Sequence, residues 1–128
     1  MVKLNFAHIC EYASILQNGN PIISGIFSEI IASSLPFTHP KMSFVLELDI
    51  DDKNSHSLEI IVKSPSDKKI APSFERSIDS LEGKKRKVGV VLEIGSLKIS
   101  EEGKYNIETI VDSKPLKISS FIVTVQKK

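Results

Sequence analysis

The sequence predicts an all-β protein, an antiparallel two-sheet β-sandwich of about eight strands, and three observations carry that expectation. Phe44, Leu46, Leu48 and Ile50 alternate with Val45, Glu47, Asp49 and Asp51, the period-two pattern of a strand with one dry face and one wet face. The last quarter reads as a β-hairpin: an extended run from Lys104 to Val111, a tight Asp112-Ser113-Lys114-Pro115 turn, and a second run from Leu116 to Val125. Elsewhere, apolar runs of strand length are separated by clusters of Gly, Pro, Asn and Asp, and no stretch carries a helical period.

Taken in order, Leu4 to Leu16 is apolar on both phases, which predicts a long strand, bent or bulged near Glu11 and covered on both faces for part of its length. Gln17-Asn18-Gly19-Asn20-Pro21 stops it, because Asn-Gly tolerates positive φ and Pro21 lacks a donor. Ile22 to Ala32 returns as one strand, with Gly25 marking a bulge or a close backbone approach. Pro36 and Pro40 exclude a helix from the crossover at Ser33 to Pro40, and the strand from Lys41 to Asp51 follows. After an Asp52-Lys53-Asn54-Ser55 turn, His56 to Ser64 repeats the alternation through Leu58, Ile60 and Val62. Ile70 to Ile78 is weaker and interrupted by Pro72, hence an edge strand. Asp79 to Lys87 reads as a loop, and Val88, Val90, Leu92 and Ile94 form the next buried face. In the final run Leu116 and Ile118 share one parity while Phe121, Val123 and Val125 share the other. A bulge at Ser119-Ser120 would bring both sets to the core. Eight strands at this spacing fit a sandwich of immunoglobulin-like or C2-like kind, in a single domain over residues 1–128.

The bulk numbers bound the function classes. A chain of 128 residues with 41% hydrophobic and 26% charged residues can bury its own core without a disulfide or a structural metal. Seventeen basic against sixteen acidic residues leave a net charge of +1, too little for a global field that attracts nucleic acid or an anionic membrane. The lone Cys10 forms no internal disulfide, and no run approaches the length of a membrane-spanning helix, so the chain is expected to be cytoplasmic.

Candidate chemistry is sparse. Lys84-Lys85-Arg86-Lys87 is the one dense basic run, and it would suit an acidic partner. No aromatic residue is interleaved for base stacking and Asp79 and Glu82 stand close by, which argues against nucleic acid. Asp49, Asp51 and Asp52 crowd one turn, as the calcium loops of C2-like sandwiches do. Lys53 breaks the EF-hand pattern, and a second loop carrying Asp67 or Asp112 would have to lie at the same end. Cys10 with His8, His39 or His56 could be written as a nucleophile and base, but a strand interior supplies neither a helix N-terminus nor an oxyanion hole, and a buried, inert thiol is the ordinary reading. Tyr105, two residues after Gly103, is expected to be structural, tying a corner to the neighbouring loop.

Two stretches are familiar together. Phe6-Ala7-His8-Ile9-Cys10-Glu11-Tyr12-Ala13 followed by Ile22-Ile23-Ser24-Gly25-Ile26-Phe27 resembles the opening of an uncharacterised bacterial family of small single-domain proteins. Leu35-Pro36-Phe37-Thr38-His39-Pro40 and the Gly103 to Asp112 hairpin are similar to its later landmarks. The resemblance implies one intact domain of unknown function and carries no catalytic residues. The sequence thus predicts a non-enzymatic, cofactor-free β-sandwich that contacts another protein, or a second copy of itself, through an edge strand or through end loops bearing Lys84, Lys85, Arg86 and Lys87. Replacing those four by Ser is expected to leave the melting temperature nearly unchanged. The alternative is a small-ligand or calcium-binding sandwich using Asp49, Asp51 and Asp52.

Overall fold

The structure is a computed structural model that describes residues 2–79 and 85–126. Among the described residues there is no helix, and so none long and apolar enough to cross a membrane. The described residues form nine strands: β1 (Val2–Ile15), β2 (Pro21–Ile26), β3 (Glu29–Ala32), β4 (Phe37–Ile50), β5 (His56–Lys63), β6 (Phe74–Ile78), β7 (Arg86–Ile99), β8 (Gly103–Val111) and β9 (Lys114–Val125). They make a four-stranded sheet in the order β2-β1-β4-β7 and a five-stranded sheet in the order β3-β9-β8-β5-β6.

One core lies between them. Met42, Phe44, Leu46, Leu48 and Ile50 from β4, with Val90 and Ile94 from β7, meet Leu58, Ile60, Val62, Tyr105, Ile107, Phe121 and Val123 from the other sheet. This is the face that the alternation of β4, β5 and β7 marks, and each large side chain removed from water contributes about 1.5–3 kcal/mol. Tyr105 and Phe121 are cross-strand partners on β8 and β9, with rings stacked at 5.2 Å between centroids. The Tyr105 hydroxyl donates to the Glu101 carbonyl at 2.8 Å, four residues upstream, so the ring fills the core while its polar tip holds the corner before β8. Tyr105→Phe keeps the packing and strands the carbonyl. The expected loss is about 1–1.5 kcal/mol, read as a lower denaturation midpoint with an unchanged m-value.

Strand bounds shift from the sequence expectation, with β4 starting at Phe37 rather than Lys41, β6 at Phe74 rather than Ile70 and β7 at Arg86 rather than Val88, and two further departures change the pairing. The segment from Ile22 to Ala32 is two strands, not one, and they belong to different sheets. The switch occurs at a single step: the Phe27 amide still donates to the Ile9 carbonyl at 3.0 Å, whereas the Ser28 carbonyl accepts from the Ile122 amide at 2.8 Å. Having crossed over, β3 runs alongside β9 in the same direction, a parallel pair. In β9 the extra residue is Leu116, between Pro115 opposite Ile110 and Lys117 opposite Thr109, and pairing runs unbroken through Ser119 and Ser120. Leu116 and Ile118 accordingly stay exposed.

The bend expected near Glu11 reshapes the first sheet. Cys10 pairs with Ser43, so a straight β1 would bring Ile15 level with residue 38 of β4. Instead the Ile15 tip lies where a side chain on Gly89 would stand, and Gly89 is level with Glu47, roughly 30 Å along the strand. The distal half of the β1–β2 hairpin therefore folds across the outer face of its own sheet. That is why Val45, in the outward phase, is fully buried with Cys10 and Ala13, packed by Phe6, Ile23 and Val91.

Candidate functional site

The basic run and the acidic turn, far apart in sequence, meet at one end of the molecule. β7 pairs antiparallel with β4, which sets Lys87 opposite Asp49 and Arg86 opposite Ile50. Lys85, Arg86 and Lys87 share a cleft of about 700 Å³ with Asp49 and Asp51, over an apolar floor that includes Val2, Leu4 and Leu116. Lys84 lies outside the described residues. Lys85 is exposed just before the strand, whereas Arg86 and Lys87 belong to β7 and not to a loop.

Arg86 is occupied by the fold. Its Nη1 donates to the Asp52 carbonyl at 2.8 Å, and its Nη2 donates to the carbonyls of Asn54 at 2.9 Å and Asp79 at 3.1 Å. A planar guanidinium with several donors suits this fork, and it ties the β4–β5 turn to the end of β6 and the start of β7. Of the four basic residues, Lys85 and Lys87 are the exposed ones the structure describes.

The aspartates divide. Asp49 faces outward on β4, and Asp52 Oδ1 lies 2.8 Å from His56 Nε2. The turn carrying Asp112 does lie at the same end, but His56 stands between the two carboxylates, with Nδ1 2.5 Å from Asp112 Oδ2. Both ring nitrogens face carboxylate oxygens, a setting that favours the doubly protonated ring, and the His56 side chain is 8% exposed. The Asp112 and Asp52 hydrogen bonds raise its pKa above the ordinary histidine value against the opposing pull of burial. Asp112 in turn is held below the usual carboxylate range by His56 and by the Ser57 amide, which donates to Oδ1 at 2.9 Å. Asp112 and Ser113 both have positive φ, a two-residue hairpin turn of type I′ shape whose strain those bonds offset. Asp67 lies elsewhere, 3.7 Å from Lys63. Among the described residues no group of three or more His, Cys, Asp or Glu side chains is arranged to hold a metal ion.

Cys10 is fully buried, its Sγ 3.6 Å from the Ser43 carbonyl, and burial pushes its thiol up. The thiolate that a nucleophile needs is thereby disfavoured. His8 stacks on Phe6 at 5.5 Å.

The feature that the sequence did not flag is an edge. β6 is an edge strand, as Pro72 implied, but so are β2, β3 and β7. β2, β3 and β6 run six, four and five residues, the short lengths by which sheets blunt their edges. β7 runs fourteen residues, and among the described residues its only neighbour in the sheet is β4. Val88, Val90, Leu92 and Ile94 read as an ordinary buried face, and nothing in that pattern tells a central strand from an edge.

Solved structures share this fold at low sequence identity. The chain superposes over 95% of its length on 30% of the alkylpurine DNA glycosylase AlkC of Pseudomonas fluorescens, a structure bound to DNA containing an abasic-site analogue, with a TM-score of 0.57 and 9% identity. It superposes over 94% of its length on 16% of a β-glucosidase from Listeria innocua, with a TM-score of 0.51 and 9% identity. The chain thus spans less than a third of either enzyme. An immunoglobulin-like protein from Pseudomonas aeruginosa aligns over 97% of both chains with a TM-score of 0.45 and 15% identity. With the two enzymes, at 9% identity, fold is what is shared, and fold carries no activity with it. No curated protein matches the sequence. A family model matches residues 5–124, nearly the whole chain, and the protein accordingly belongs to the family of unknown function DUF6941.

Proposed function

We propose that this chain is a non-enzymatic, immunoglobulin-like β-sandwich module that binds another macromolecule by adding a strand to the open edge of β7. The observation that supports this reading is the length of that edge: fourteen residues that, among the described residues, pair with a strand on the β4 side alone. A strand laid beside it gains a ladder of hydrogen bonds, and alternating side chains supply selectivity. Left uncovered, such an edge is an aggregation hazard that natural sheets rarely tolerate. Lys85 and Lys87 flank the start of β7 and would favour an acidic stretch of the partner.

Site-specific photo-crosslinking tests the reading. A photoreactive phenylalanine analogue is placed at Glu93 on β7, at Arg76 on β6 and at Lys53 in the end loop, all exposed positions. Crosslinks in cells are expected from position 93. Crosslinks confined to position 53 would move the contact to the loops, and crosslinks confined to position 76 would move it to the opposite sheet; either overturns strand addition at β7.

A further inference from the structure

We infer that the strand added to β7 is the β7 of a second copy of this chain, paired antiparallel about a two-fold axis through Val90. The inference rests on the edge reading above and names its partner. It starts from a constraint of sheet geometry: residues directly opposite each other in an antiparallel pair share a face. For two copies of β7 to extend one sheet with both inner faces on the same side, paired positions must sum to an even number, so the axis passes through a residue.

Among those registers, the one centred on Val90 matches the charges. It sets Lys87 opposite Glu93 of the second copy, and by symmetry Glu93 opposite its Lys87. Val88 then faces Leu92 and Gly89 faces Val91. A centre one residue later, at Val91, sets Lys87 against Gly95 and Glu93 against Gly89. A centre at Leu92 sets Lys87 against Leu97. Only the Val90 register pairs both charges, and it does so twice.

The local structure fits this register. Lys87 and Glu93 lie on the outer face, opposite Asp49 and Ser43 of β4. Glu93 reaches Lys41 at 3.5 Å while its side chain stays 64% exposed, which leaves carboxylate surface for a second ammonium. Ile15, from the hairpin that folds over this sheet, sits on Gly89 and remains 38% exposed. Pairing about Val90 brings the second copy's Val91 beside Gly89, within reach of the same isoleucine. Glycine at position 89 leaves room for both.

A charge-swap series read by sedimentation velocity, at concentrations up to roughly 0.5 mM, tests the pairing. The unmodified chain is expected to dimerise. Glu93→Lys sets Lys against Lys twice, and Lys87→Glu sets Glu against Glu twice, so each variant is expected to lose about tenfold or more in dimer affinity. The double variant K87E/E93K restores both pairs and the dimer. The decisive arm mixes the two single variants, one now carrying two lysines and the other two glutamates. Heterodimers should form where neither variant dimerises alone, and that recovery also demonstrates that both are folded. A dimer unmoved by the single swaps would overturn this register, and a chain that stays monomeric would overturn self-pairing. In the monomeric case, photo-crosslinking from position 93 to a different polypeptide would keep the edge reading, and silence from that position would remove both.

Discussion

Arg86→Ala is expected to lower folding stability by roughly 2–3 kcal/mol, about 10 °C in melting temperature for a chain of this size, without touching the hydrophobic core. The guanidinium closes three carbonyls, those of Asp52 and Asn54 in the β4–β5 turn and that of Asp79 just after β6, and so joins two separate connections of the fold. Removing it leaves these acceptors to water and frees the β4–β5 turn from the start of β7. Arg86→Lys is not a rescue, because an ammonium cannot reach three divergent carbonyls as a planar fork does. Lys85→Ser and Lys87→Ser should stay within about 0.5 kcal/mol of the parent, since both side chains are exposed. Where the sequence alone led to a nearly unchanged melting temperature for the quadruple serine variant, the contacts of Arg86 lead to an expected loss on replacing the run. A quadruple serine variant that melts with the parent would refute the clamp.

His56→Ala is the second large effect, and it depends on pH. At about pH 6 the loss is expected to be about 2 kcal/mol, because an imidazolium with a covered side chain leaves Asp52 and Asp112 facing each other without it. Asp112 remains 47% exposed, so water screens part of the attraction and the full value of a buried pair does not apply. The folded pKa of His56 is raised above the unfolded value of about 6.5. Its contribution is therefore fully present below about pH 6.5 and is lost as pH rises through the folded pKa. Asp112 behaves oppositely: its folded pKa is depressed, so its contribution is present above about pH 4 and is lost as pH falls through the folded value. Together they give a window from about pH 4 to 6.5 in which the chain gains most from this contact. Denaturant midpoints of the parent and of His56→Ala, measured from acid to mildly alkaline pH, should converge at the alkaline end. A constant difference across the range would mean that His56 contributes by packing alone. An imidazole resonance titrating at or below about 6.5 would refute the imidazolium.

These two residues also show where a linear reading stops. Arg86 sits in a run of four basic residues, and composition assigns such a run to a solvated loop. What makes Arg86 structural is the register of β7 on β4, which delivers it to the Asp52 turn. His56 and Asp112 are more than fifty residues apart. The aspartates of both turns were visible as acidic positions, but that the imidazole between them would claim the carboxylates depends on β5 and β8 being neighbours.

The sequence by itself determined what repeats locally. Alternation in β4, β5 and β8 marks the inner face because side chains on a strand change sides at every residue, and burial of one side is enough to choose the face. Asp112 and Ser113 set the tight turn, and Tyr105 announced its own role because a tyrosine at the start of a late strand can fill a core only if its hydroxyl finds a nearby carbonyl. Only the tertiary structure decided what depends on neighbours distant along the chain. The sheet switch between Phe27 and Ser28, the parallel partner of β9, and the hairpin that buries Val45 from outside are all choices between surfaces that look alike in sequence. So is the open side of β7, because a strand's two edges are made of main-chain groups that every residue carries, and no side-chain pattern records whether a neighbour has filled them.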